Sequence, residues 1–156
     1  MHITIVAVGQ KLPAWAQTAV DDYLARFPRD FTVIVKEVKA EARTGGKPVA
    51  QVMAAEAERI ERAVPAGDIL VARDEHGRDM TTVDFSKKIS GWKNEGCGVT
   101  FIIGGADGLD PALKAKARMM LRLSSMTLPH AFARVLLTEQ IYRAWSILAN
   151  HPYHRV

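Results

Sequence analysis

Residues 101–111 read FIIGGADGLDP, an apolar run that ends in two glycines before a new helix begins. The apolar residues belong to a longer run, GVTFII at 98–103, which predicts a buried strand. Asp110 followed by Pro111 is typical of a helix N-cap and first helical turn. A buried strand joined to a helix by a short loop is the unit from which α/β sheets are built.

The rest of the chain repeats this alternation of strands and helices. The predicted strands are short and mostly apolar or β-branched, at residues 3–8, 31–38, 68–72, 98–103 and 120–123. The predicted helices lie at residues 13–26, 49–64, 82–92, from 110 onward, and 129–150. Residues 39–47 are predicted as a loop and residues 74–79 as a polar turn. The pattern predicts one α/β domain over 1–156, with a mostly parallel sheet and helices on both faces.

The composition favours a soluble globular protein. Hydrophobic residues make up 48% of the chain, and no apolar run approaches the roughly 20 residues that span a bilayer. The N-terminus lacks the basic start and the cleavage site of a signal peptide. Cys97 is the only cysteine, which excludes an internal disulfide and a cysteine-rich metal site. We therefore expect a cytoplasmic protein that uses neither a membrane nor a metal.

Charge is distributed unevenly along the chain. Residues 1–112 carry 14 Lys and Arg against 16 Asp and Glu. Residues 113–156 carry 7 Lys and Arg against Glu139 alone, a net charge of +6. Such asymmetry suits a partner that is rich in phosphate, and the alternative is a solvated basic face.

Parallel sheets bind ligands at the carboxyl ends of their strands, which here directs attention to the loops at 73–79, 104–109 and 124–130. The glycines of the second loop permit a close backbone approach to a ligand. Their spacing matches neither the dinucleotide-binding motif nor the P-loop. The SSMTLP segment of the third loop could hold an adenine and a thioether, or could be an ordinary strand-to-helix connection.

The last predicted helix is apolar on more than one face. That pattern is typical of a buried helix and, in a small chain, of a subunit interface as well. Arg134 and Arg143 interrupt its apolar surface. Glu139 lies four residues before Arg143, so either the two form an i,i+4 ion pair or the arginine reaches an anionic ligand.

The chain ends in NHPYHRV, residues 150–156. Two histidines alone do not predict a zinc site, because zinc takes three or four ligands and Cys97 lies far along the chain. No G-x-S-x-G motif is present, and Ser124 and Ser125 have no assigned base. The residues by themselves indicate an α/β domain with a basic C-terminal third and a ligand site near Gly104.

Three motifs, GGADGL, LSSMTLPHAFARVLLTEQIYRAWSI and the terminal NHPYHR, closely resemble those of the RlmH family. These are the ribosomal large-subunit pseudouridine N3-methyltransferases of the SPOUT class. The opening ITIVAVGQKLPAW and the YLARFP at 23–28 fit as well, so the likeness spans essentially the whole chain. The resemblance implies an S-adenosylmethionine-dependent enzyme that methylates 23S ribosomal RNA on the assembled ribosome. It also implies a homodimer and a deep C-terminal trefoil knot that holds the cofactor beside the subunit interface.

The resemblance also implies which residues contact the cofactor. They lie at the end of the third strand, at the first glycine of the pair and in the loop before the last helix: Arg73, Gly104, Leu123, Ser124, Ser125, Met126, Thr127 and Leu128. Relatives tend to carry an apolar residue, often leucine, in place of Arg73. Binding survives this change if the contact is made by the backbone. If an apolar side chain covers the adenine, the methylenes of Arg73 must do so instead.

The same resemblance directs attention to the tail for catalysis. N3 of pseudouridine carries a proton at neutral pH, so the proton must be removed or the resulting anion stabilised. We expect His154 as the general base and Arg155 as the group that stabilises the anion. Tyr153 can stack on an extruded base or hydrogen-bond to it. The residues expected to bind the RNA substrate share the last helix: His130, Arg134 and Arg143.

Two other functions stay open at this point. One is a SPOUT methyltransferase that acts on another RNA, such as tRNA, and the other is a non-catalytic ribosome-associated factor that keeps the fold. Also open is whether the tail acts on the pocket of its own subunit or on that of a partner.

Overall fold

Parallel strands form the centre of the computed structural model, which describes residues 1–9 and 11–155. The strands are β1 (His2–Val8), β2 (Thr32–Val38), β3 (Ile69–Arg78), β4 (Val99–Ile103) and β5 (Met119–Leu121). Their order across the sheet is β2-β1-β4-β3-β5, and every neighbouring pair is parallel. The predicted parallel sheet is therefore confirmed.

Helices cover both faces of the sheet, which confirms the predicted α/β class. They are α1 (Ala14–Leu24), α2 (Val49–Ala63), α3 (Thr82–Asn94), α4 (Pro111–Ala115) and α5 (His130–Leu148), with a short 3-10 turn at Thr44–Gly46. α3 and α5 pack on one face, where α1 contacts α5, and α2 and α4 pack on the other. Over the part of the chain that is described, no helix is both long and apolar enough to cross a membrane.

The central strands β1 and β4 are mostly apolar and, apart from His2, buried along their whole length, because both of their faces are covered. Side chains alternate between the two faces with the two-residue period of a strand. Ile3 and Ile5 of β1 join the core under α3 and α5, whereas Val6 and Val8 join the core under α2 and α4. Helices on both faces therefore leave the carboxyl ends of these strands as the open edge for a ligand.

The polar stretch at 74–79 is not the predicted turn, because β3 continues through it to Arg78. The strand extends beyond the apolar part of the sheet, so its outer side chains meet solvent although its backbone still pairs with β5. Gly77 permits this pairing, since a Cβ there would lie 2.8 Å from the carbonyl carbon of Met120. Polar residues with a glycine are typical of turns, which is why composition misled here. β5 is also shorter than predicted and ends at Leu121.

α5 connects the carboxyl ends of the strands with the C-terminal tail, residues 151–155. The helix begins at His130 and its 19 residues rise about 28 Å at 1.5 Å each. Asn150 follows with a φ of 53°, a left-handed conformation that asparagine tolerates better than most residues. The chain therefore reverses at Asn150, and the tail folds back along α5.

Candidate functional site

A cleft of about 870 Å³ opens at the carboxyl ends of β1 and β4, beside Arg73 in the middle of β3. The lining comes from the ends of β1, β2 and β4, from β3, from α2 and from the start of α5: Val8, Gly9, residues 11–13, residues 40–43, Glu56, Arg73, residues 104–106, Leu128, His130 and Ala131. Four residues that the sequence singled out, Arg73, Gly104, Leu128 and His130, lie together in this lining. The cleft thus sits at the edge of the sheet where parallel strands present a ligand site.

A smaller cavity of about 310 Å³ lies against the glycine loop, residues 104–108, and shares Arg73 with the cleft. Nζ of Lys114 donates a hydrogen bond to Asp74 there at 2.8 Å. Burial raises the pKa of Asp74, but hydrogen bonds from Lys114 and from the amide of His76 outweigh it and bring the pKa below its usual value. Asp74 is therefore an anion at neutral pH that accepts hydrogen bonds.

Gly104 is a glycine because the glycine loop folds tightly back on it. A Cβ at Gly104 would lie 2.6 Å from the carbonyl carbon of Gly108 and 2.8 Å from the amide nitrogen of Leu109. The loop closes through a backbone bridge between Gly105 and Gly108, and Gly108 has a φ of 85°. The packing of the chain on itself therefore accounts for this glycine before any ligand is considered.

The loop before α5, residues 123–128, reaches the cleft through Leu128. The hydroxyl of Ser124 accepts a hydrogen bond from the amide of Met126 at 2.9 Å, which closes a local turn. Met126 is 77% exposed, and Leu123 packs against the core beside α3. The other two predicted cofactor contacts in this loop are exposed: Ser125 and Thr127.

His130 forms one wall of the cleft and is held from behind by Arg134, one helical turn later. Nε of Arg134 donates to Nε2 of His130 at 3.1 Å, and its Nη1 donates to Glu37 at 3.1 Å. Burial lowers the pKa of His130, and the charges of Arg134 and Arg73 lower it further, so the ring is neutral at pH 7. Arg134, predicted to bind substrate, is 2% exposed and does not line the cleft.

The ring of Tyr153 folds back on α5. It meets Tyr142 edge-on at a centroid distance of 4.7 Å, and its hydroxyl donates to Glu139 at 2.9 Å. Arg143 lies over the same ring and donates from Nε to Glu139 at 2.9 Å, so the i,i+4 ion pair is present. Burial raises the pKa of Tyr153, and hydrogen bonds with Tyr23 and Glu139 raise it further. The phenol therefore stays protonated at neutral pH.

His154 is oriented by Ser146 near the end of α5. The hydroxyl of Ser146 donates to the carbonyl of Arg143 at 2.6 Å, so its oxygen accepts from Nδ1 of His154 at 3.3 Å. This arrangement leaves the Nε2 lone pair of His154 available to accept a proton. His154 and the exposed Arg155 line a cleft of about 320 Å³ that reaches Thr82 at the start of α3. Within the described residues, no group of three or more His, Cys, Asp or Glu is placed to hold a metal ion.

The structure does not bring the tail and the large cleft of one chain together. Ser146, which orients His154, lies sixteen residues after His130 on α5, an axial distance of about 24 Å. The candidate base and the candidate cofactor residues therefore belong to separate regions of a single chain.

The basic residues of the C-terminal third are largely neutralised by the fold. Among the described residues of 113–156, six of the seven basic side chains form ion pairs: Lys114–Asp74, Lys116–Glu61, Arg118–Glu95, Arg122–Asp79, Arg134–Glu37 and Arg143–Glu139. Five of the six acidic partners come from the first 112 residues. The charge asymmetry along the sequence thus does not become an open basic face, and Arg155 lies outside these pairs.

Two carboxylates near the site were missed from the sequence. Glu56 is 5% exposed, lines the cleft and accepts a hydrogen bond from the amide of Glu41 at 3.0 Å. A signal was available, since Glu56 lies on the buried stripe of α2 between Val52 and Ile60. No sequence pattern marks Glu37, because its partner Arg134 lies 97 residues later in the chain, on α5.

Known proteins resemble this chain along nearly its whole length. A family model described as "Predicted SPOUT methyltransferase" matches residues 1–154. The chain is 54% identical over 156 residues to ribosomal RNA large subunit methyltransferase H of Ralstonia pickettii, which covers all of both chains. It is 55% identical over 155 residues to the protein of the same name from Bordetella avium, which covers 99% of each.

Among solved structures, a probable methylase family protein from Haemophilus influenzae Rd KW20 aligns with a TM-score of 0.61 at 15% identity. The alignment covers 99% of this chain and 70% of that one, and it shows a shared fold. The match along the whole chain, the high identity to full-length relatives and the parallel sheet place the protein in one family. The chain belongs to the SPOUT methyltransferases and, within them, to the RlmH family.

Proposed function

We propose that this protein transfers a methyl group from S-adenosylmethionine to N3 of a pseudouridine in 23S ribosomal RNA, on assembled ribosomes in the cytoplasm. The observation that carries the proposal is the meeting of Arg73, Gly104, Leu128 and His130 in one cleft at the strand ends. The support from relatives is their printed name, ribosomal RNA large subunit methyltransferase H, at 54–55% identity over the full chain.

The cleft residues fit the chemistry of this cofactor. The cleft volume, about 870 Å³, is within the range of small-molecule sites. Nε of Arg73 is buried and has no hydrogen-bond partner among the described residues, so a ligand carboxylate would satisfy it. Leu128 offers an apolar wall to an adenine, and Glu56 offers a carboxylate to a positively charged sulfonium. When bound, the cofactor supplies an electrophilic methyl group.

Calorimetric titration of the intact chain with S-adenosylmethionine tests the cofactor assignment. We expect saturable binding that Arg73→Ala weakens about tenfold, since one charge-assisted hydrogen bond is lost. Arg62→Gln is the control, because Arg62 pairs with Glu58 on the exposed surface of α2. If the wild type does not bind S-adenosylmethionine, the enzymatic function is excluded, and the alternative, a non-catalytic ribosome-associated factor, is favoured.

The tail residues suit the acceptor side of the reaction. Nε2 of His154 accepts the N3 proton of the uracil ring, while Ser146 holds Nδ1 and so fixes the tautomer. Arg155, which is exposed, stabilises the negative charge that develops on the ring. Tyr153 stays protonated and packed on α5, so we assign it the role of holding the tail in place. It also keeps its predicted role of contacting the extruded RNA base. Arg143 anchors the same ring through Glu139.

A homodimer would bring the tail and the cleft together. The axial distance of about 24 Å within one chain leaves His154 remote from Gly104, so we propose that the tail acts on the cleft of a second subunit. Trp15 and Phe132 support a subunit contact next to the cleft. Their ring centroids lie 4.9 Å apart, and each side chain is about half exposed, so together they form an apolar patch that a second subunit can cover. The trefoil knot of the SPOUT class, formed by the loop before α5 and α5 itself, is part of this proposal.

Mixing two inactive variants tests the arrangement across the dimer. One variant is truncated after Pro152 and keeps an intact cleft; the other carries Gly104→Ala and keeps an intact tail. If the tail acts across the interface, refolding the two together restores methyl transfer, since each mixed dimer contains one complete site. If the tail acts on its own chain, the mixture stays as inactive as its components.

A further inference from the structure

The imidazole of His130 is held by a chain of contacts that runs from β2 to the glycine loop. Glu37 at the end of β2 accepts a hydrogen bond from Nη1 of Arg134 at 3.1 Å. Nε of the same guanidinium donates to Nε2 of His130 at 3.1 Å. His130 in turn lies beside Gly104 in the lining of the cleft. Three elements that are distant in sequence therefore meet at one ring.

The guanidinium decides the tautomer of His130. Arginine has donors and no acceptor, so the Nε2 atom that faces it must carry a lone pair. The single proton of the neutral ring then sits on Nδ1, which is the ring atom left to donate a hydrogen bond. Arg134 has little freedom to change this arrangement, because it is 2% exposed and also bonded to Glu37.

The ring also fills space between strand ends. A Cβ on Gly9, after β1, would lie 3.5 Å from Nε2 of His130, so the ring is packed against the backbone there. Leu128 and His130 line the cleft together with Gly104. A shift of the ring would therefore move the wall of the cleft.

We infer that Glu37 and Arg134 are positioning residues, which fix His130 as an Nδ1–H donor and thereby hold the wall of the cleft beside Gly104 in the shape that the cofactor requires. The inference rests on the proposed cofactor, but the tautomer itself is a property of the protein alone. The charged groups that face the ring are Arg134 from α5, Arg73 from β3 and Glu37 from β2.

Nitrogen-detected NMR of the protein without ligand tests the tautomer first. We expect a neutral Nδ1–H ring that titrates below the ordinary histidine pKa. Arg134→Gln removes a positive charge and should move this titration upward, whereas Glu37→Gln removes a negative charge and should move it downward. An Nε2–H tautomer, or the same titration in all three proteins, overturns the inference. The side chain of Glu37 is 41% exposed, so we expect Glu37→Gln to fold. The titration of His130 can then be compared with the wild type even if Arg134→Gln does not fold.

Cofactor binding by His130 variants tests the consequence. The side-chain amide of His130→Asn can replace the Nδ1 donor, whereas that of His130→Gln is placed nearer to the position of Nε2. We expect His130→Asn to bind S-adenosylmethionine nearly as the wild type does and His130→Gln to bind about tenfold more weakly. Arg134→Gln should bind more weakly at pH 6 than at pH 8, while Arg62→Gln on α2 should match the wild type at both.

The two kinds of failure are distinguishable. If the wild type does not bind the cofactor at all, the proposed function fails, and the NMR titration still decides the arrangement at His130. If the wild type binds and the Arg134 and His130 variants bind equally well at every pH, the positioning role is contradicted.

Discussion

Gly104→Ala is the substitution whose cost follows most directly from the structure. The added Cβ would lie 2.6 Å from the carbonyl carbon of Gly108, 2.8 Å from its oxygen and 2.8 Å from the amide nitrogen of Leu109. All three atoms are backbone, so no side chain can rotate away, and the glycine loop itself must move. Overpacking of this kind costs about 1–3 kcal/mol.

Thermal unfolding measures that cost. For a chain of this size each kcal/mol changes Tm by roughly 2–4 °C, so we expect Gly104→Ala to lower Tm by roughly 2–12 °C. Because the loop lines the cleft, the affinity for S-adenosylmethionine should fall as well. Gly91→Ala is the matched control: Gly91 lies inside α3 with no heavy atom within 4 Å of an added Cβ. It should stabilise the protein by roughly 0.5–1 kcal/mol. An unchanged Tm for Gly104→Ala would refute the steric reasoning.

Three further changes have defined outcomes. Trp15→Lys should yield a monomer by sedimentation, because it places a charge on the proposed subunit contact, while Val49→Lys, equally exposed on α2, should stay dimeric. Because the pKa of His130 is lowered in the folded protein, its imidazole takes up a proton at higher pH in the unfolded chain than in the folded one. The free energy of unfolding should therefore fall as pH drops below about 6.5. His130→Asn should flatten that decline in Tm. Tyr153→Phe, which removes the donor to Glu139, should cost about 1 kcal/mol and make the tail more sensitive to carboxypeptidase; unchanged digestion would contradict the anchoring role.

The alternation of strands and helices was predictable because both signals are local. Apolar runs such as 98–103 and the N-cap at Asp110 need no knowledge of distant partners. The stretch at 74–79 was mistaken for a turn because its polarity reflects exposure, while its backbone pairing depends on β5. Gly104, predicted as a cofactor contact, lines the cleft, but the atoms that require a glycine there belong to the chain's own loop.

The candidate site was less predictable than the fold, since side-chain partners come from remote segments. The charge excess of residues 113–156 suggested a basic surface, and the fold instead pairs most of these cations with acids from the first two thirds. The reversal at Asn150 places Tyr153 against Tyr142, which no periodicity indicates. Motif resemblance indicated the candidate site residues, and the structure places them in two regions, the cleft and the tail.

Methyl transfer to ribosomal RNA can be measured directly. Ribosomes from a strain that lacks this protein are incubated with the intact protein and S-adenosylmethionine, in parallel with purified tRNA, and the RNA nucleosides are analysed by mass spectrometry. We expect one added methyl group on N3 of a pseudouridine in 23S RNA and none in tRNA. A protein that binds the cofactor yet methylates only tRNA, or neither RNA, would contradict this expectation.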